Sequence, residues 1–156
     1  MNAALISPRL VVQKNDFLGS GIPYWPVELA VLASRIRELG FDVSFIDMFG
    51  SAPLNFKNHG KYYLQGNPID FVGFKDKLTS ADVFIIFAIH YSCHKEILQI
   101  LKFLKEKFPT KVKIVLENTQ AVTGYSIEEF RDQFIKEDVD LKVNVIGLTF
   151  KFFKTF

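Results

Sequence analysis

The chain has 156 residues, enough for one domain with a substantial buried core. Hydrophobic residues make up 49% and charged residues 23%, with a net charge of +2 and dispersed basic residues, which argues against disorder and against a nucleic-acid-binding stripe. A single cysteine, Cys93, excludes an internal disulfide and a cysteine-ligated iron–sulfur cluster within this chain, and it fits a reducing, cytoplasmic setting.

Met1-Asn2-Ala3-Ala4-Leu5-Ile6-Ser7-Pro8 lacks the basic start and apolar length of a signal peptide. Ala3 to Ile6 reads instead as a buried first strand, stopped by Ser7-Pro8. A polar, glycine-containing loop follows, and Pro26 opens a helix where its missing N–H costs least. Leu29, Ala30, Leu32, Ala33 and Ile36 fall on one face of that helix, and Gly40 stops it. Phe41 to Ile46 alternates in part, with Asp42 and Ser44 turned away from Phe41, Val43 and Phe45, as in an edge strand.

Asp47 to Asn67 is the longest connection, and Pro68 to Leu78 predicts a short helix with Phe71, Phe74 and Leu78 inward. Val83 to Ile89 is the longest fully apolar run. It is far short of the roughly 20 residues that cross a bilayer, so it reads as the central strand. Ile97, Ile100, Leu101, Leu104 and Phe108 form the clearest helical stripe, ended by Pro109. Val112 to Leu116 gives a fourth strand, and Ser126 with Glu129 caps a helix burying Ile127, Phe130 and Phe134. Val143 to Ile146 gives a fifth strand.

Strands separated by helices imply an α/β fold, a doubly wound parallel sheet with right-handed crossovers. Strand order 2-1-3-4-5, flavodoxin-like with helices on both faces, accounts for two edge strands and a central third. Such sheets bind ligands beyond the strand C-termini, at the switch point between the first and third strands. The loops at that edge are 7–25, 90–94 and 117–125.

Those loops hold several groups of polar residues. Gly19-Ser20-Gly21 precedes a helix but lacks the third glycine of a dinucleotide fingerprint, so a turning loop explains it better. His90, Cys93 and His94 lie within five residues, yet a metal needs three or four ligands and only His59 remains elsewhere. No protein-only metal site is therefore expected. Cys93 at a helix start fits packing better than nucleophilic catalysis. Asp47 stands where dinucleotide folds place a ribose-binding acid, or caps the following turn. Tyr24, Trp25, Tyr62 and Tyr63 are candidates to wall a flat ring system.

The most specific text is Gly21-Ile22-Pro23-Tyr24-Trp25-Pro26-Val27-Glu28-Leu29-Ala30-Val31-Leu32-Ala33, then Arg37-Glu38-Leu39-Gly40-Phe41-Asp42-Val43-Ser44-Phe45-Ile46-Asp47. It resembles the start of the cobalamin-binding domain of B12-dependent radical SAM proteins. The shared pattern is a strand ending in proline, a Pro-x-x-Leu-Ala-x-Leu-Ala helix, and a strand ending in Asp. Leu5-Ile6-Ser7-Pro8, Ala81 to Ile86, and Phe108-Pro109 with Val112 to Leu116 continue the resemblance over residues 3 to 140.

The resemblance implies a cobalamin-binding α/β domain over 1–147, and composition marks 148–156 as an apolar tail. It implies Ser7, Pro8, Tyr24, His90, Ser92, Asn118 and Thr119 as cofactor-lining residues, without a cobalt-ligating histidine from the first loop. It also implies a separate radical SAM catalytic domain or chain as partner, since neither barrel nor cluster cysteines are present and no complete catalytic set belongs to this chain. Glu117-Asn118 departs from the family's Gly-Gly, and the family's Gly-Glu-Gly-Glu passage is missing. These departures favour a ligand-free remnant or protein-interaction domain as the alternative; a flavin- or nucleotide-binding protein is a third reading. Leu148, Phe150, Phe152, Phe153 and Phe156 crowd the tail. It is expected to dock on another chain, through self-association in an isolated protein, in preference to packing back on the sheet.

Overall fold

A computed structural model describes residues 1–15, 27–88, 91–117, 132–133, 141–146 and 149–153. The main sheet contains β1 (Asn2–Ser7), β3 (Asp42–Asp47), β6 (Val83–Ala88) and β7 (Val112–Glu117). These four strands are parallel and stand in the order β3-β1-β6-β7. The partly polar β3 lies at the edge, while β6 is buried at all six positions and sits between two neighbours. The chemistry matches the placement: an interior strand is covered on both faces, so alternation gives way to a continuous apolar run.

Two apolar clusters flank this sheet. Helix α1 (Val27–Glu38) contributes Leu29, Leu32, Ala33 and Ile36, packed with Ala3, Leu5, Val83, Ile85 and Phe87. Helices α2 (Lys75–Ser80) and α3 (His94–Lys107) cover the other face, where Leu78, Ile97, Ile100, Leu101 and Leu104 meet Ala4, Ile6, Phe84 and Ile86. Side chains alternate along β1 and β6, so consecutive residues feed opposite layers. Fully burying each large aliphatic side chain contributes roughly 1.5–3 kcal/mol. Ala30 is exposed, contrary to expectation, because it falls off the stripe set by Leu29, Leu32, Ala33 and Ile36.

The expected helix from Pro68 begins later, as a 3-10 turn over Val72–Phe74 running into α2. Phe74 and Leu78 are buried as expected, but Phe71 is exposed and meets Phe74 edge-on. The capped helix expected around Ser126 to Phe134 falls almost wholly outside the described residues.

Strand β8 (Leu141–Ile146) pairs parallel with β7, and β9 (Thr149–Phe153) pairs antiparallel with β8. The expectation of parallel pairing throughout does not extend to this last strand. Residues 149–153 join the sheet of their own chain, the arrangement ranked second from sequence.

A second sheet was not expected. Strands β2 (Leu10–Gln13), β4 (Phe56–His59) and β5 (Tyr62–Gln65) form an antiparallel sheet in the order β2-β5-β4. It turns two segments read as loops into ordered structure. Because β2 starts three residues after β1 ends, and β4 follows β3, this sheet lies at the C-terminal end of the parallel strands. Gly66 makes the junction: its φ is +118°, and a Cβ there would stand 2.3 Å from the Met48 carbonyl oxygen. Only glycine tolerates both conditions.

Candidate ligand site at the strand C-termini

The register of the parallel sheet sets Ser7 beside Asp47, and Ala88 beside Glu117. These residues end their strands together, so they mark one edge of the sheet. The crossover direction reverses between β1 and β6, which makes the C-terminal crevice between them the switch point where such folds bind ligands.

An ion pair joins the two sides of that crevice. Arg9 lies two residues beyond β1, and Glu96 lies in the first turn of α3, the helix that follows β6. Arg9 Nε donates to Glu96 Oε1 at 2.6 Å, and Nη2 donates to Oε2 at 2.8 Å. Both side chains are buried, at 6% and 3% exposure. This side-on, two-bond geometry fits the planar guanidinium to the carboxylate and repays part of the cost of removing both charges from water. Arg9 Nη1, also buried, has no hydrogen-bond partner among the described residues.

Cys93 is the residue immediately before α3 and is 4% exposed. Its thiol points to the Arg9 carbonyl oxygen, with a sulfur–oxygen distance of 3.7 Å. Burial pushes the thiol pKa up to about 11, against lesser lowering by hydrogen bonds from Ser92 and the Val11 backbone. A group so strongly held as a thiol is a poor nucleophile. Cys93 therefore ties the start of α3 to the beginning of β2, as the packing reading expects.

Asp47 resolves toward a turn cap. Its Oδ1 accepts the Gly50 N–H at 2.8 Å, and a Cβ at Gly50 would collide with the carboxylate. Glycine at position 50 thus makes room for the cap. The tyrosines expected to wall a ring pocket are committed elsewhere in part: Tyr62 stacks on His59 at 5.1 Å, and Tyr63 meets Phe56 edge-on under the Lys14 ammonium. All of these lie on or beside the small sheet.

Of the expected cofactor-lining residues, Ser7 and Pro8 are buried at the end of β1, and Ser92 is half-buried in the turn leading to α3. These three share the β1–β6 side of the edge. Tyr24, His90, Asn118 and Thr119 lie outside the described residues, as do Trp25 and the Gly19-Ser20-Gly21 segment. Glu117, named from sequence as a departure from the family pattern, is 8% exposed at the end of β7. His94 begins α3, with its Nε2 2.8 Å from Gln133 Oε1. Among the described residues no three His, Cys, Asp or Glu side chains group to hold a metal. No described helix is long and apolar enough to cross a membrane.

Sequence reasoning missed Arg9 and Glu96, although a signal was present. Glu96 stands four and eight residues before Ile100 and Leu104, on the apolar stripe of α3. A carboxylate on that stripe needs a buried partner. No family model matches the chain, and no curated protein matches it.

Proposed function

We propose that the chain is a flavodoxin-like cobalamin-binding module of radical SAM type, non-catalytic by itself, with the corrin ring over the C-terminal edge of the parallel strands. The observation that carries this reading is the β3-β1-β6-β7 order, whose switch point has Ser7, Pro8 and Ser92 at its rim. The proline-led helix and its following strand, in the pattern of that family, support the choice of ligand. Tyr24, His90, Asn118 and Thr119 complete the proposed lining. A separate radical SAM domain or chain would supply the cluster and the reaction, in the cytoplasm.

The test is retention of colour. Protein mixed with hydroxocobalamin and freed of excess by desalting should keep the corrin's visible absorbance. A colourless protein fraction contradicts the assignment.

A ligand-free scaffold is the second reading, favoured by the buried Arg9–Glu96 pair, which occupies part of the switch point, and by the buried carboxylate of Glu117. It predicts the colourless outcome together with a normally folded chain.

A further inference from the structure

We propose that Arg9 is a ligand-binding residue, with its Nη1 donating to a neutral carbonyl oxygen of the molecule that occupies the β1–β6 crevice. The inference rests on the cobalamin reading above and names the group on the ligand that is recognised.

Three features of the pair support it. Nε and one N–H of Nη2 lie on one side of the guanidinium and donate to Glu96, so Nη1 is the nitrogen that makes no bond to it. That nitrogen is buried and has no partner among the described residues. A buried donor without an acceptor is costly, so such a group in a folded protein calls for an explanation. Its place, one residue past Ser7-Pro8 and against the first turn of α3, is the switch point itself.

The charge state selects the kind of acceptor. Glu96 already neutralises the guanidinium, and both groups are out of water. An incoming phosphate or carboxylate would bring an unbalanced negative charge into that setting, near the Glu96 carboxylate. A neutral amide carbonyl accepts the Nη1 hydrogens without that penalty. The corrin periphery carries such carbonyls on its acetamide and propionamide arms, so the ligand class fits the leftover donor.

The experiment titrates hydroxocobalamin into the full chain while following the Arg9 guanidinium 15N resonances. Calorimetry is run in parallel on Arg9→Lys and on the double variant Arg9→Met with Glu96→Met. On the unmodified protein the Arg9 Nη resonances should move as the site saturates, and added inorganic phosphate should neither move them nor displace the corrin. Both variants should bind about tenfold to a hundredfold more weakly, the loss expected for one charge-assisted hydrogen bond. The double variant should keep its thermal midpoint, because a buried ion pair exchanged for apolar groups of similar volume leaves no orphaned charge. Unmoved Arg9 resonances, or variants binding as tightly as the parent, make the pair purely structural and overturn the inference while leaving the cobalamin reading intact. Displacement by phosphate overturns the neutral-carbonyl assignment. No binding to the unmodified protein overturns both readings at once.

Discussion

At the residue scale, the buried Arg9–Glu96 pair and the buried thiol of Cys93 make separate predictions. Glu96→Ala strands a buried guanidinium and should cost about 3–5 kcal/mol of stability, measured by urea denaturation. A loss under about 1 kcal/mol, typical of an exposed pair, would contradict the burial of this one. The thiol of Cys93 has its pKa raised from 9.0 to about 11, so the unfolded chain gives up this proton first as pH rises. The unfolded state then binds fewer protons than the native state, and stability should fall between about pH 9 and pH 11. Cys93→Ser should flatten that part of the pH–stability curve. Folded protein should also react slowly with iodoacetamide at pH 8, at a rate that rises on unfolding.

At the element scale, the large pieces were legible because they repeat a period long enough to read. Val83 to Ala88 announces a central strand by six apolar residues, and α3 announces its buried face by Ile97, Ile100, Leu101 and Leu104. The small sheet carries no such signal. Its strands have four residues each, and β4 reads Phe-Lys-Asn-His with every position exposed. Cross-strand pairing holds it, and pairing is invisible in a single segment. Gly66→Ala tests its junction with the main sheet. The positive φ and the clash with the Met48 carbonyl should together cost about 1–3 kcal/mol, read as a lower denaturation midpoint. An unchanged midpoint would mean the junction yields freely.

The tail belongs to the same scale. Five large apolar side chains in nine residues predict burial, and the backbone of Thr149–Phe153 pairs antiparallel with β8. A chain ending at Gly147 should therefore leave the β8 edge open, unfold at lower denaturant, and scatter more light than the full chain. Less scattering after truncation, with unchanged stability, would return the tail to its expected role in self-association.

At the scale of the whole molecule, strand order is what turns a list of residues into a site. Order β3-β1-β6-β7 brings the ends of segments 40 and 80 residues apart to one edge, and that much followed from edge and central patterns in the sequence. Ser7, Pro8 and Ser92 were legible as edge residues for the same reason. The Arg9–Glu96 contact spans 87 positions and obeys no local period, so only the fold brings it into view. Glu117 is buried at the same edge and should weaken a ligand whose nucleotide tail carries a phosphate. Glu117→Gly combined with Asn118→Gly should accordingly bind hydroxocobalamin more tightly. Unchanged or weaker binding would place the pocket elsewhere or show it rebuilt around the glutamate.

Calorimetric titration of hydroxocobalamin into the full chain shows whether the strand C-termini hold a corrin. Saturable heat at one corrin per chain, matched by a shift in the corrin's visible spectrum, is the result predicted for a cobalamin-binding module. A folded chain that gives only heats of dilution and leaves that spectrum unchanged contradicts it.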